Sequence, residues 1–178
     1  MAMSNLTVTS TGNGIDLNES AGTLTVTNFN GITVGGNTGG SGIVVTNATF
    51  DATAGGAYNQ VAGGTTAVGD AGNPVGGAGV VLTNVSGDLA FTDLDIFSAN
   101  GTGLFVTGTG AVNAAAGTGT LVSVASGVGT LVSVGGPVLD VTNATLNLPL
   151  NLASVTSSPT TGISLVNVAG TSPAASVS

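Results

Sequence analysis

One pattern recurs along this chain and restricts what it can fold into. Two glycines stand one residue apart, apolar side chains follow at alternating positions, and the unit often closes with Thr-Asn. The clearest copies are Gly42-Ile43-Val44-Val45-Thr46-Asn47-Ala48-Thr49-Phe50 and Gly79-Val80-Val81-Leu82-Thr83-Asn84-Val85. Gly103-Leu104-Phe105-Val106-Thr107-Gly108 and Leu139-Asp140-Val141-Thr142-Asn143-Ala144-Thr145-Leu146 are two more. Weaker copies begin at Gly14-Ile15-Asp16-Leu17 and Gly162-Ile163-Ser164-Leu165, and the hexamer Gly-Thr-Leu-Val-Ser-Val occurs at both 119–124 and 129–134. The unit recurs at roughly two dozen residues, the size of one coil in a solenoid.

Within each copy the alternation has period two, which belongs to a β-strand with one face buried. Leu6-Thr7-Val8-Thr9 and Leu24-Thr25-Val26-Thr27 show it in its simplest form. β-Branched residues suit the pleated surface. Gly, Asn and Asp, which tolerate positive φ, end most of these runs within three to five residues. No stretch carries a sustained helical period. An ordinary sandwich has longer strands joined by hairpins.

Composition shows that a core is available and narrows the chemistry. Of the 178 residues, 42% are hydrophobic and 4% are charged, too apolar for a disordered chain. Few aromatics are present, so the core must be made of many small, similar layers. Lys, Arg, His, Cys and Trp are all absent, and the net charge is −8. Nucleic-acid binding depends on Lys and Arg to neutralise phosphates, so it is excluded. Triads with an imidazole base, Cys/His zinc sites and Lys-containing phosphate loops are excluded likewise. No apolar run reaches the ~18 residues of a membrane span, and no basic region precedes an apolar stretch at the N-terminus. The expectation is a chain without membrane insertion, taken from a longer exported protein or carrying artificial first residues.

The repeats resemble the coils of right-handed parallel β-helices. They are most similar to the Gly-, Thr- and Asn-rich repeats of large bacterial surface proteins, such as autotransporter passengers and haemagglutinin-like adhesins. The resemblance spans most of Leu6–Val168. It implies an all-β, right-handed parallel β-helix of about six or seven coils in one domain over 1–178, located outside the cell or on its surface. It also implies a role for an Asn at the tight turn between two strands of a coil. Asn28, Asn47, Asn84, Asn143 and Asn167 are the residues that would take it; the first four follow a Thr directly. Asn tolerates the left-handed conformation, and its amide can bond its own copy in the next coil.

Two stretches depart from the repeat. Residues 51–77 are rich in Gly, Ala, Thr and Asn, and read as a long loop projecting from one coil; Tyr58, Asn59 and Gln60 are its candidate contact residues. Residues 111–117 read as a smaller excursion, and 171–178 as a frayed or truncated end.

Few residues offer chemistry. Asp93 and Asp95 flank Leu94 and would share one outward face. Paired carboxylates can hydrolyse glycosides. Pectin-degrading β-helices add basic residues that this chain lacks, so an exposed polar strand face that opposes sheet stacking is the favoured reading. Gly12-Asn13-Gly14-Ile15-Asp16 partly matches the calcium-binding nonapeptide, but those sites need tandem copies and only one is present. Calcium is thus the only cofactor raised, and a plain coil turn is preferred. Three of the six Asn-x-Ser/Thr sequons, at Asn47, Asn84 and Asn143, fall out of the repeat itself. The pairs Thr7/Thr9 and Thr25/Thr27 suggest an ice-binding array, yet the motif fades after Thr27.

The expected function is a non-catalytic stalk, filament or adhesin segment. Its partners would be another copy stacked end to end, neighbouring coils of a longer chain, or a surface glycan or host ligand. The rivals are a polysaccharide-binding or -cleaving β-helix and an ice-binding solenoid.

Overall fold

The computed structural model describes residues 2–18, 24–26, 28–35, 39–50, 59–108, 120–146, 150–157 and 161–170. Among them there is no helix; all regular structure is parallel β. The chain winds through three walls and begins again one layer further on.

The first wall stacks β1 (Ala2–Thr9), β4 (Asn28–Gly35), β7 (Asn59–Val68), β9 (Ser86–Ser98), β11 (Thr120–Ser133) and β14 (Leu150–Ser157) in that order. The second stacks β2 (Ile15–Asn18), β5 (Ile43–Thr46), β8 (Val80–Thr83), β10 (Leu104–Thr107), β12 (Leu139–Thr142) and β15 (Ile163–Val166). The third is shorter. There β3 (Leu24–Val26) pairs with β6 (Ala48–Phe50), β6 pairs with the start of β9, and β13 (Thr145–Leu146) pairs with β16 (Ala169–Gly170). Six strands in each of the first two walls make a β-solenoid of six coils. At the usual strand spacing this is a rod of roughly 30 Å.

The alternation in the sequence becomes side-chain columns because every inter-coil step of the second wall is in register. Ile15, Ile43, Val80, Leu104, Leu139 and Ile163 form one column, and Leu17, Val45, Leu82, Val106, Val141 and Leu165 the other. From Ile43 and Val45 to Leu139 and Val141 these residues are fully buried. Each such side chain contributes about 1.5–3 kcal/mol of hydrophobic burial. The first wall supplies the facing columns, with Val34, Val68, Ile96 and Leu131 in contact with the same core.

Three expectations need correction. Ile163 and Leu165 belong to the inner columns but are 39% and 49% exposed, because β15 is the edge of its sheet and no described coil lies over it. The loop expected over 51–77 is in part a strand: β7 occupies Asn59–Val68, held on one side by β4 and on the other by β9. Backbone bonds to both neighbours place it there, although its sequence has few large apolar residues. The remainder of that stretch turns the corner through Val75, which bridges to Ser98; residues 51–58, like 111–117 and 171–178, lie outside the described residues. Finally, β9 and β11 run for 13 and 14 residues rather than three to five. Coil lengths also vary, from 24 residues between Asn143 and Asn167 to 37 between Asn47 and Asn84.

The Gly-x-Gly unit is explained at the corner between the first and second walls. A Cβ on Gly42 would collide with the Val68 side chain and lie 2.7 Å from the Gly79 carbonyl oxygen in the next coil. A Cβ on Gly40 would lie 2.5 Å from the Gly12 carbonyl carbon in the previous coil. The second glycine is thus crowded from ahead at Gly14, Gly42, Gly79 and Gly103, and the first from behind at Gly40, Gly77 and Gly101. Beside this corner runs a buried hydroxyl column in which Ser98, Ser133 and Ser157 are register partners. Ser98 Oγ lies 2.6 Å from the Gly77 carbonyl oxygen and also bonds that of Gly101. Ser133 Oγ bonds the Gly101 and Gly136 carbonyls, and Ser157 Oγ bonds Gly136 at 3.0 Å. The hydroxyls thus satisfy carbonyls that the turn removes from the β-ladders.

Candidate contact surfaces

Asn47, Asn84, Asn143 and Asn167 each follow a strand of the second wall and have φ of 54°, 52°, 51° and 52°. These are the only non-glycine residues with positive φ among those described. The left-handed turn directs the chain into the third wall, and Asn accepts it because its short amide relieves the usual penalty. The amides also meet. Asn84 Nδ2 donates to Asn47 Oδ1 at 3.3 Å, and Asn167 Nδ2 donates to Asn143 Oδ1 at 3.0 Å. Gly108 takes the Asn position in the fourth coil, its N–H donating to the Thr142 carbonyl, so the side-chain column is split into two pairs. Asn28 does not belong to this set. It is the first residue of β4 and the register partner of Ala2. The reason is that β3 pairs with β6, beyond the Asn47 turn, which puts Thr27-Asn28 one strand too late.

On the outer face of the first wall, Leu94 and Ile96 point into the core and Asp95 points out between them. Both neighbours of β9 break register beside it. β7 shifts between Val61 and Thr65, and β11 shifts between Val124 and Thr130. Asp95 Oδ1 accepts the backbone N–H of Thr130 at 3.0 Å, the donor where β11 returns to register. Bulges of this kind re-aim side chains and leave backbone groups to be satisfied. The result is an open groove of about 320 Å³ lined by Ala67, Asp70, Asp95, Phe97, Thr130 and Val132, among others. Asp70 Oδ1 accepts the N–H groups of Gly72 and Asn73 at 2.7 and 2.8 Å, closing its own turn. Each of these carboxylates thus has a backbone donor. Asp93 pairs with Thr65 along the backbone, and Asn59 and Gln60 pair with Leu89 and Ala90; only the backbone is described at these positions. Tyr58 lies outside the described residues.

The threonine pairs do not form one array. Thr7 and Thr9 are exposed on the first wall, opposite Thr33 and Gly35, whereas Thr25 is on the third wall beside Thr49; Thr27 lies outside the described residues. The structure shows a different column, Thr46, Thr83, Thr107 and Thr142, in register on the outside of the second wall. Its signal was the Thr that precedes each turn, four copies of one position in the repeat. At the N-terminal corner, Asn13 Nδ2 donates to Asp16 Oδ2 at 2.9 Å while Asn13 Oδ1 accepts the Ser41 N–H at 3.0 Å. Asn13 thereby ties the first coil to the second. Among the described residues no group of three or more carboxylates is arranged to hold a metal ion, and no helix is long and apolar enough to cross a membrane.

No protein-family model matches this chain, and neither a curated protein nor a solved structure matches it.

Proposed function

We propose that this chain is a non-catalytic structural segment of an extracellular stalk or adhesin. The observation that supports this reading is the continuity of the stack: inner columns, corner glycines and serine hydroxyls commit successive coils to one another. Inter-coil hydrogen bonds run along the rod, so load applied to the rod is shared by many backbone bonds in each layer. With no Lys or Arg, trypsin finds no cleavage site.

A second reading has one specific observation in its favour. The groove beside Asp95 is lined by Phe97 as well as by Asp70 and Asp95, and an aromatic ring with carboxylates is a combination suited to stacking on a sugar ring and accepting its hydroxyl groups. A panel of neutral and acidic polysaccharides, incubated with the full chain and assayed for both retention and newly formed chain ends, separates the two. The structural reading expects no chain cleavage. Turnover abolished by Asp95→Asn would replace it with a catalytic one. Retention lost in Phe97→Ala without turnover would make the groove the adhesive surface of the stalk.

A further inference from the structure

We propose that Asn100 is a site of spontaneous deamidation, at which the corner between β9 and β10 converts to aspartate and isoaspartate without an enzyme. The inference goes beyond the stalk reading and does not depend on it.

An Asn followed by Gly is the pair most open to this chemistry, because glycine has no Cβ to obstruct the approach of its nitrogen to the side-chain amide. The chain has three such pairs, Asn13-Gly14, Asn30-Gly31 and Asn100-Gly101. At the third, the Gly101 backbone nitrogen gives up its proton to hydroxide and attacks Asn100 Cγ. The N–Cγ bond forms, the Cγ–Nδ2 bond breaks, and Nδ2 takes protons from water and leaves as ammonia. Water then opens the five-membered imide at either of its carbonyls. One opening gives aspartate, the other isoaspartate.

The structure separates the three pairs. Asn13 is exposed but pinned. Its Nδ2 donates to Asp16 Oδ2 at 2.9 Å, and its Oδ1 accepts the Ser41 N–H at 3.0 Å. The nitrogen that would attack, that of Gly14, donates to the Ser41 carbonyl at 3.0 Å. Asn30 lies within β4, opposite Ser4 in the backbone ladder. Asn100 stands in the exposed turn after β9, and among the described residues neither its amide nor its backbone makes a hydrogen bond. The Gly101 N–H has one acceptor, Ser98 Oγ at 3.2 Å, the long end of the usual range. Three bonds must be given up before Asn13 reacts, and one before Asn100. At ordinary net bond strengths that difference is worth about tenfold or more in rate.

The consequence follows from the neighbours. The Gly101 carbonyl lies within bonding distance of the Ser98 and Ser133 hydroxyls. A Cβ on Gly101 would lie 2.6 Å from backbone atoms of Gly77 and Ala78 in the coil before, and a Cβ on Gly135 in the coil after would lie 2.5 Å from Asn100 Cα. Backbone therefore presses on this turn from both sides. Aspartate leaves the main chain as it was and adds a charge at an exposed side chain. Isoaspartate lengthens the main chain by one carbon, for which there is no room along the rod. It displaces Gly101 from the serine column and loosens the corner with the age of the chain.

The test ages the full chain in mildly alkaline buffer, which favours loss of the Gly101 proton. Pepsin digestion serves where trypsin has no site. Mass spectrometry follows conversion at each pair, and methyl transfer by an isoaspartyl methyltransferase counts the isoaspartate. Asn100 is expected to convert about tenfold or more faster than Asn13, and the aged chain to melt at a lower temperature. Asn100→Gln, whose longer side chain disfavours the five-membered ring, is expected to abolish both changes. Freshly prepared Asn100→Asp is expected to melt with the fresh wild type. Conversion of Asn13 or Asn30 as fast as that of Asn100 would overturn the proposal. So would an Asn100 that stays intact after a free peptide of residues 97–104 has converted. A melting temperature as low in fresh Asn100→Asp as in the aged chain would overturn the part given to isoaspartate.

Discussion

Thr66 is fully buried between Ile32 and Leu94 in the first wall, and its hydroxyl has no hydrogen-bond partner. A stranded hydroxyl in a core costs on the order of 1–3 kcal/mol, and an apolar group of the same shape removes the cost. Thr66→Val is therefore expected to raise stability by about 1 kcal/mol, read as a higher denaturation midpoint with an unchanged slope. The turn asparagines make the opposite case. Asn84→Ala should cost about 1–2 kcal/mol, because alanine resists the left-handed turn and the bond to Asn47 is lost. Asn84→Gly should cost less, about 1 kcal/mol or below, since the turn is then free of strain. Thermal melts of the two variants side by side separate the turn from the amide. The sequence marks three of the four turn asparagines with a preceding Thr; Asn167 follows Val166 instead. The sequence carries no mark for Thr66 or for the buried serines. In a chain crowded with Ser and Thr, only register decides which hydroxyls turn inward.

At the scale of the element, the second wall was readable throughout and the first only in part: Leu6-Thr7-Val8-Thr9 marked β1 and the repeated hexamer marked β11. In β5, β8, β10 and β12 the first and third of four positions are apolar and buried, and a glycine stands within three residues of the start. β7 hides because Ala62, Gly63, Gly64 and Thr65 look like loop, and its place is set by neighbours distant in sequence. The bulges around Asp95 are hidden for the same reason: a shift between strands exists only once both strands are aligned. The groove they frame could not be read from Asp93 and Asp95 alone, since Asp70, Phe97 and Thr130 reach it from other positions and coils. The serine column offers a direct test of such coupling. Each hydroxyl has one proton, so Ser98, Ser133 and Ser157 supply one donor apiece for the three carbonyls of Gly77, Gly101 and Gly136, with none to spare. Ser98→Ala and Ser133→Ala together should therefore destabilise the chain by about the sum of the single changes. The coupling energy should lie within about 0.5 kcal/mol of zero in a double-mutant cycle followed by denaturant unfolding.

For the whole molecule, stability is a sum over layers, each held by its neighbours. Such a stack opens from its less covered end. Backbone amide exchange should accordingly be slowest in β8 and β10, which have coils on both sides, and fastest in β15. Mass spectrometry after deuterium labelling would show that gradient. The unequal coils add a different consequence. Layers of 24 and of 37 residues present the same four-residue strand to the second wall, so differences in layer length are taken up outside that wall without disturbing its columns. Growth in breadth and growth in length are thereby separate operations. A gene segment copied in whole layers would lengthen the rod by ~4.8 Å each time. A segment inserted at a corner would change what the rod displays and leave its length as it was.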